Sequence, residues 1–383
     1  MIIDRRRFVF GSLAAAAAAA CGSRSSSSQQ AGAAVRPEPQ PPAKKSILIL
    51  GGTGFIGPHI ITTALARGHK VTMFNRGKTR PELFPDVEKL RGDRDGQLDA
   101  LKGRTWDTVI DPSGYVPRIV RLSAELLAPS VKHYIFISTV SVYASGAPVG
   151  ADENAPLETI DDPTSEDVKG NGFKNYGALK ALSEKAAEAA MPGRVANIRP
   201  GLIIGPGDMT GRFTHWPTRL SEGGEVLCPG DGSTPAQFID SRDLAEWLVH
   251  LAEQNTVGTM NAIGPEKKIT IKDVIDQTNA AVGGKATPVW VPWSFLEKHE
   301  VGPWQEMPMW IPNEGEDAGF GTNSNARAIK AGLKFRPVGD TARDTLAWLQ
   351  TLPEDQRQRA RSSGIKRDKE DKVLAAWKAQ KKG

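Results

Sequence analysis

Cysteine is scarce in this chain, with two residues, Cys21 and Cys228, among 383. So low a count excludes a disulfide-stabilised scaffold and every cysteine-rich zinc module. The six histidines are scattered, and neither HExxH nor CxxC spacing occurs, so we expect no metal site. The remaining composition, 39% hydrophobic and 24% charged, is that of a globular protein.

The net charge of +5 is not spread evenly along the chain. Lysine and arginine are in excess in residues 1–45 and 354–383, whereas residues 46–353 are slightly acidic. Electrostatic capture of a phosphate backbone needs a basic face. We therefore expect no nucleic-acid partner. Residues 354–383 are interpreted as a basic tail that forms a frayed helix. A solvated tail is the simplest interpretation, and contact with a membrane surface or a partner is the alternative.

Residues 1–21 have the pattern of an export signal. Three arginines and a short apolar stretch are followed by seven alanines and Cys21. The apolar part of this segment is far shorter than the ~20 residues of a membrane-spanning helix. The arginines resemble a twin-arginine signal, and the Ala-Ala-Cys ending resembles that of a lipoprotein tethered through Cys21, with a simple cleaved signal as the alternative. Residues 22–45 are rich in Ser, Gln and Pro, which predicts a flexible linker. We thus expect an exported, periplasmic protein. The sequence does not determine its oligomeric state.

A glycine-rich turn follows the first predicted strand, 47–50, and precedes a helix and a second strand, 71–74. In such a β-α-β unit the glycines allow a tight turn, close approach to a pyrophosphate and close helix–strand packing, and the free N–H groups at the helix start bind the anion. The predicted cofactor-binding residues of this turn are Gly51, Gly54, Phe55, Ile56 and Gly57.

The second strand ends at Asn75 and Arg76 without an acidic residue. An acid there binds the ribose hydroxyls of NAD, whereas a neutral residue with an arginine suits the 2′-phosphate of NADP. This favours NADP, with NAD as the alternative. Asp93 follows a third predicted strand, 87–90, and is placed to accept a hydrogen bond from the adenine amino group.

Strands and helices continue to alternate along the chain. This order predicts an α/β protein with a Rossmann-type doubly wound parallel sheet over residues 46–200 and a smaller substrate-binding region over 201–353 that partly returns to the sheet. The predicted later elements are strands 106–110, 134–137 and 194–198 and helices 119–127 and 176–190. Tryptophans between 210 and 330 fit either a sugar-binding pocket or the core of the second region.

Tyr176 and Lys180 are four residues apart in a segment rich in helix-forming residues, so they share one helix face. They follow a strand that ends in the Ser/Thr-rich stretch 138–141. Together with the glycine turn, this combination indicates a catalytic group rather than two surface residues.

At this point the chain resembles the short-chain dehydrogenase/reductase superfamily, in its extended branch of nucleotide-sugar epimerases and dehydratases. Within that branch it is similar to the subgroup typified by chloroplast stem-loop-binding proteins. The resemblance covers roughly residues 46–260. The motifs that carry it are GGTGFIG (51–57), Asp93, FISTVSVYA (136–144), YGALK (176–180), RPGLIIGPGD (199–208) and FIDSRDLAE (238–246).

The resemblance implies catalytic roles for three residues. Tyr176 would exchange a proton with the substrate oxygen, and Lys180 would lower the pKa of that tyrosine and bind the nicotinamide ribose. Thr139 would polarise the substrate oxygen, with Ser138 as the fallback. The chain departs from the branch at Leu202, where an Asn is typical, and at Gln237, where an Arg clamps the diphosphate, so a substrate without a diphosphate is equally compatible.

These observations predict an NAD(P)-dependent sugar epimerase or dehydratase acting by transient hydride transfer at a sugar hydroxyl. An NADP-dependent ketone reductase is one alternative, and a Rossmann-fold RNA-binding protein without catalysis is another. Because no pyridine-nucleotide pool is replenished outside the cytoplasm, an exported enzyme is expected to return the hydride to its substrate and to keep its cofactor.

Overall fold

The computed structural model describes residues 43–169 and 173–381, so the predicted signal and nearly all of the linker, with Cys21, lie outside the described residues. The strands are β1 Ser46–Leu50, β2 Lys70–Asn75, β3 Glu88–Arg91, β4 Trp106–Asp111, β5 Val131–Ile137, β6 Val195–Pro200, β7 Leu202–Ile204, β8 Gly224–Pro229, β9 Pro235–Asp240, β10 Gly258–Ala262, β11 Gly264–Thr270 and β12 Ala286–Val291. The helices are α1 Gly57–Ala66, α2 Pro117–Leu127, α3 Tyr176–Ala190, α4 His215–Glu222, α5 Ser241–Gln254, α6 Ile271–Ala281, α7 Trp293–Lys298, α8 Ala326–Lys330, α9 Val338–Thr351, α10 Glu354–Ala360 and α11 Arg367–Gln380. Within these two ranges, no helix is both long and apolar enough to span a bilayer.

A seven-stranded sheet forms the centre of the fold, in the order β10-β6-β5-β4-β1-β2-β3. Every neighbouring pair in it is parallel. The chain starts in the middle, runs outward to β3 and then returns to build the other half, which is the doubly wound arrangement. The predicted fold class is therefore confirmed, and β10, from beyond residue 201, completes one edge.

Both faces of the central sheet are buried, as the unbroken apolar run of β1 predicts. Ile47 and Ile49 belong to a core cluster shared with Ile60 of α1 and Leu248 of α5. The alternate residues of β1, with Val120 of α2, belong to a second cluster on the other face. Successive side chains of a strand point to opposite faces, so helices cover the sheet on both sides.

The region after β6 builds a second body of structure around its own core. It contains the three-stranded sheet β11-β9-β7 and the parallel pair β12-β8. Trp216 and Trp310 are buried in this core, whereas Trp304 is only partly buried against it. The tryptophans therefore divide between core packing and the wall of the cleft described below.

The basic C-terminal segment is folded, which corrects the interpretation of a solvated tail. It forms α10 and α11, and Val373 and Leu374 of α11 are buried in the second core. Glu370 is 1% exposed; it pairs with Arg219 at 2.7 Å and accepts the backbone N–H of Leu227 at 2.9 Å. A count of charges along the segment does not reveal this contact, because its partners are distant in sequence.

Candidate active site

A cleft of about 1460 Å³ lies at the carboxyl ends of the central strands. Its walls include residues that directly follow β1, β2, β3, β4 and β5, together with residues of the second core region. Doubly wound sheets bind ligands at this edge. The volume exceeds the roughly 300–1,000 Å³ of a usual small-molecule pocket, so the cleft has room for a dinucleotide and a substrate together.

The glycine turn is built for close backbone approach. Gly51 and Gly52 have φ values of +115° and +95°, a region that side chains disfavour. A Cβ on Gly57 would lie 2.4 Å from the carbonyl oxygen of Gly52, so α1 packs directly on the turn. At Gly54, by contrast, a Cβ would meet no described atom within 4 Å, because this glycine faces the open cleft. Phe55 and Ile56 also line the cleft, so all five predicted residues of the turn lie there.

Asn75, at the end of β2, holds the turn in place. Its amide nitrogen donates to the carbonyl of Gly51 at 2.9 Å, and its amide oxygen accepts the N–H of Gly77 at 2.9 Å. Arg76 lies beside Asp93, with 3.7 Å between charged atoms, and its side chain is 59% exposed. All three predicted residues line the cleft. Arg76 is thus available for a phosphate, whereas Asn75 is occupied in shaping the backbone.

The predicted catalytic side chains lie together in the cleft. Tyr176 begins α3, and Thr139 directly follows Ser138 at the end of β5. All three line the cleft. Thr139 is 8% exposed and exchanges hydrogen bonds with Ser141, at 3.1 Å for each of the two contacts. The Ser138 hydroxyl is buried and has no hydrogen-bond partner in the part of the chain that the structure describes, so either hydroxyl can serve a substrate oxygen.

Lys180 lies one helical turn after Tyr176 and is almost completely buried. Its ammonium donates to the carbonyls of Gly114 and Ile137, both at 2.6 Å, and lies 4.1 Å from the centre of the Phe136 ring. An ammonium has three donors, so one remains for a ligand in the cleft. Two backbone carbonyls therefore fix the position of this lysine.

The pKa of Tyr176 is dominated by burial rather than by the charge of Lys180, so the predicted lowering by that lysine stays a prediction. Burial raises the pKa of Tyr176 to about 12, the neighbouring phenol of Tyr115 adds to the rise, and only Thr139 and the cation of Arg212 oppose it. Burial also lowers the pKa of Lys180 to about 7. Sequence spacing placed the two groups on one helix face but carried no information about their desolvation.

A buried ion pair beneath the cleft was not predicted from the sequence. Arg94 donates to both carboxylate oxygens of Asp111, at 2.6 and 2.7 Å, and the Tyr134 hydroxyl donates to the same carboxylate at 2.8 Å. Arg94 also donates to the Ser123 hydroxyl at 2.7 Å. Asp111 ends β4, three residues before Gly114. The network therefore stabilises the loop whose Gly114 carbonyl accepts from Lys180.

The second core region completes the cleft with Gln237, which the resemblance had singled out, and with several residues that no motif marked. Arg212 and Gln237 line it, and the rings of Trp304 and Phe320 meet edge to face there at 5.7 Å. Ser362, in the connection before α11, lines it as well. The sequence signals for this wall were the clustered tryptophans and the departures from the family at Leu202 and Gln237.

The electrostatics of the cleft favour an anionic ligand. The cleft is lined by five cationic side chains and, across residues 43–169 and 173–381, by the single carboxylate of Asp93. The cations are Arg76, Lys78, Arg94, Lys180 and Arg212. Over the same described ranges, no group of three or more potential metal ligands is found.

Known proteins are similar to this chain in sequence. A family model described as the NAD dependent epimerase/dehydratase family matches residues 47–111 and 111–264. A 2-alkyl-3-oxoalkanoate reductase from Stenotrophomonas maltophilia is 30% identical over 288 residues, covering 67% of this chain and 81% of that protein. The chloroplast stem-loop binding protein of 41 kDa b from Arabidopsis thaliana is 27% identical, covering 64% of this chain and 65%, less than two thirds, of that protein.

Solved structures share the fold at low sequence identity. The WbmG enzyme of Bordetella bronchiseptica, determined in complex with NAD, superimposes with a TM-score of 0.58 at 19% identity, covering 81% of this chain and 95% of that one. The UDP-glucuronic acid 4-epimerase of Bacillus cereus, also in complex with NAD, has a TM-score of 0.56 at 18% identity, covering 81% and 97%. Both support the doubly wound architecture.

Proposed function

Because the chain belongs to the NAD dependent epimerase/dehydratase family, we propose that it is an NAD(P)-dependent oxidoreductase that transiently oxidises a hydroxyl-bearing carbon of a sugar-like substrate. The observation that supports this best is that Tyr176, Thr139 and Lys180 line the same cleft as the glycine turn. Epimerisation or elimination at the activated carbon would follow before the hydride returns.

The residues of the cleft fit a dinucleotide. Orphan N–H groups at the start of α1 would bind the pyrophosphate, and the open space at Gly54 allows it to approach the backbone. Asp93 and Arg76 would contact the adenosine end, and the free donor of Lys180 the nicotinamide ribose. When bound, the nicotinamide would supply the hydride acceptor and donor.

The protein would supply the proton chemistry at one oxygen. With its pKa raised to about 12, Tyr176 keeps its proton at neutral pH and is suited to donate it as the carbonyl is reduced. In the oxidising direction Tyr176 would act as the phenolate, after losing its own proton to solvent, and would accept the hydroxyl proton of the substrate. The cation of Arg212 favours that phenolate. Thr139 or Ser138 would hold the same substrate oxygen by a hydrogen bond, which orients it toward Tyr176.

We propose NADP as the preferred cofactor. β2 ends in a neutral residue, Asn75, whose side chain is engaged with backbone groups, and no acid replaces it as a partner for ribose hydroxyls. Arg76 and Lys78 line this part of the cleft and are available for a 2′-phosphate. The NAD found in the two structural relatives makes NAD the alternative.

We also propose that the protein is exported and works without net consumption of its cofactor, as its N-terminal sequence suggests. Fractionation of the source cells, with mass spectrometry of natively purified protein, tests this. Periplasmic protein carrying one bound dinucleotide supports the proposal. Protein that turns over only with added NADP, or that stays in the cytoplasm, contradicts it. An acyl group on Cys21 would separately establish a membrane tether.

A panel of sugars, sugar acids and ketones tests the activity, with product formation and nicotinamide absorbance followed together. Wild type should convert a sugar substrate without net change in reduced nicotinamide, and Tyr176→Phe should lose at least about 100-fold in kcat, the usual contribution of a general acid–base. Tyr143→Phe is the matched control, because Tyr143 is a buried tyrosine outside the cleft whose hydroxyl donates to Asn261 at 2.6 Å.

A second function, ketone reduction, is favoured by the Stenotrophomonas reductase at 30% identity. It would appear in the same assay as stoichiometric loss of NADPH with a ketone. Salt-dependent retention of RNA together with no conversion of any substrate would instead favour the non-catalytic RNA-binding alternative.

A further inference from the structure

Arg212 is a cation of the cleft that forms no ion pair with any carboxylate of the described residues. It lies between β7 and α4, and its Nε donates to the Thr210 hydroxyl at 3.0 Å. Its two terminal nitrogens have no hydrogen-bond acceptor, and no carboxylate lies within 4.0 Å of them, among the residues that the structure describes. A guanidinium presents these nitrogens as a planar fork that matches an oxyanion.

The other cations near the substrate end are already engaged. Arg94 is paired with Asp111, and the Lys180 ammonium is held by two carbonyls. Arg76 and Lys78 belong to the loop after β2, where the dinucleotide is expected. Arg212 is therefore the cation left for the substrate.

Hydrogen bonds hold the Nε atom of Arg212 in place. Thr210 accepts from Arg212 and donates to Asp208 at 2.5 Å, and Asp208 also accepts the backbone N–H of Thr210 at 2.8 Å. Asp208 is 1% exposed. These hydrogen bonds hold Nε and leave the two terminal nitrogens for a ligand, an arrangement typical of a recognition site rather than of a mobile surface arginine.

Neutral groups make up the rest of the described cleft lining that follows β6. Gln237 stands where the extended branch has its diphosphate-clamping arginine, and its amide nitrogen donates to the carbonyl of Asn323 at 2.7 Å. Trp304 and Phe320 form an aromatic wall, and Trp304 has a φ of +62°, a strained value for a non-glycine residue. Among the described residues after β6, the cleft lining thus holds one cation and two aromatic side chains, a set that matches a ring with one charged substituent better than a diphosphate.

We propose that the substrate carries a single oxyanion group, a carboxylate or a phosphate monoester on a sugar-like hydroxy compound, and that Arg212 binds it. This inference rests on the proposed function, because it assigns the substrate class of the same cleft. The arginine acts as a specificity-determining residue, and its charge also favours the phenolate of Tyr176.

Three probes that differ only at C6 test the proposal: D-glucose, D-glucuronate and D-glucose 6-phosphate, with UDP-glucose as the diphosphate probe. Dissociation constants are measured by calorimetry on the full chain with saturating NADP. At least one of the two C6 anions should bind about tenfold or more tightly than glucose. Arg212→Gln should weaken that anion by about 10- to 100-fold, the loss of a charge-assisted pair, and leave glucose unchanged. Arg212→Lys should recover part of the preference.

Arg121→Gln is the matched control, since Arg121 is an exposed arginine of α2 outside the cleft. Equal binding of glucose and both anions by wild type overturns the proposal, as does an anion preference that survives Arg212→Gln. Tighter binding of UDP-glucose than of either anion also overturns it. Tyr176→Phe distinguishes a failure of this proposal from a failure of the proposed function. The variant should keep the preference for the anion. Turnover that persists in it contradicts the proposed function and not the role of Arg212.

Discussion

Replacing the buried lysine of the cleft gives a stability change whose dependence on pH follows from the structure. Lys180 is 2% exposed, and burial lowers its pKa from 10.5 to about 7. Between these values the unfolded chain holds a proton that the folded chain does not. The free energy of unfolding therefore rises with pH across this window. Below about pH 7 both states are protonated, and the full cost of burying the ammonium is present.

The magnitude follows from the slope of about 1.4 kcal/mol per pH unit for one proton. Between pH 7 and pH 9 the wild type should gain about 2 kcal/mol of stability relative to Lys180→Met, because the lysine is still half protonated at pH 7 in the folded state. The difference in unfolding free energy between wild type and Lys180→Met at one fixed pH is less informative, because a second effect contributes to it. The variant also leaves the carbonyls of Gly114 and Ile137 without their donor, at a cost of about 1–3 kcal/mol each.

Urea unfolding followed by tryptophan fluorescence, without added dinucleotide, measures this difference at pH 7, 8 and 9. The control is Lys185→Met, which removes an exposed lysine from the same helix, α3. Its difference from wild type should stay constant over the range. If the gap between wild type and Lys180→Met also stays constant, or moves against the wild type as pH rises, the lysine is not buried in the way described.

Four further substitutions test other parts of the structure. Gly57→Ala places a methyl group 2.4 Å from the Gly52 carbonyl oxygen, so it should destabilise the fold and abolish dinucleotide binding. Gly54→Ala has open space around its Cβ. It should therefore lower dinucleotide affinity without lowering the urea midpoint. Arg76→Ala should weaken NADP by about tenfold, the loss of one charged hydrogen bond, and leave NAD unchanged in a fluorescence titration. Glu370→Gln should cost about 3–5 kcal/mol in urea unfolding, because it leaves a buried arginine unpaired; a cost below 1 kcal/mol would show that α11 is not firmly docked.

The central sheet was predictable because its signals are local. The apolar run 47–50 became β1, Ser46–Leu50, and the predicted helix 119–127 became α2, Pro117–Leu127. Each such segment carries its own periodicity and its own stop signal. The glycine turn was predictable for the same reason, since its backbone geometry depends on residues that are adjacent in sequence.

The features that sequence reasoning missed depend on contacts between distant residues. Glu370 is one charge in a basic segment until the fold brings it to Arg219, 151 residues away. Arg212 belongs to no motif, and only the structure shows that it reaches the cleft without a carboxylate partner among the described residues. The rise in the pKa of Tyr176 was not predicted either, because burial outweighs the nearby cation of Arg212 and burial depends on the whole fold.

A crystal structure of the protein with NADP tests the central claim most directly. We expect the pyrophosphate to lie against the turn of residues 51–57 and the nicotinamide to lie beside Tyr176. The ribose that carries the nicotinamide should lie within hydrogen-bonding distance of Lys180. A dinucleotide bound elsewhere, or a Tyr176 side chain turned away from the nicotinamide, would contradict the assignment of this cleft as the active site.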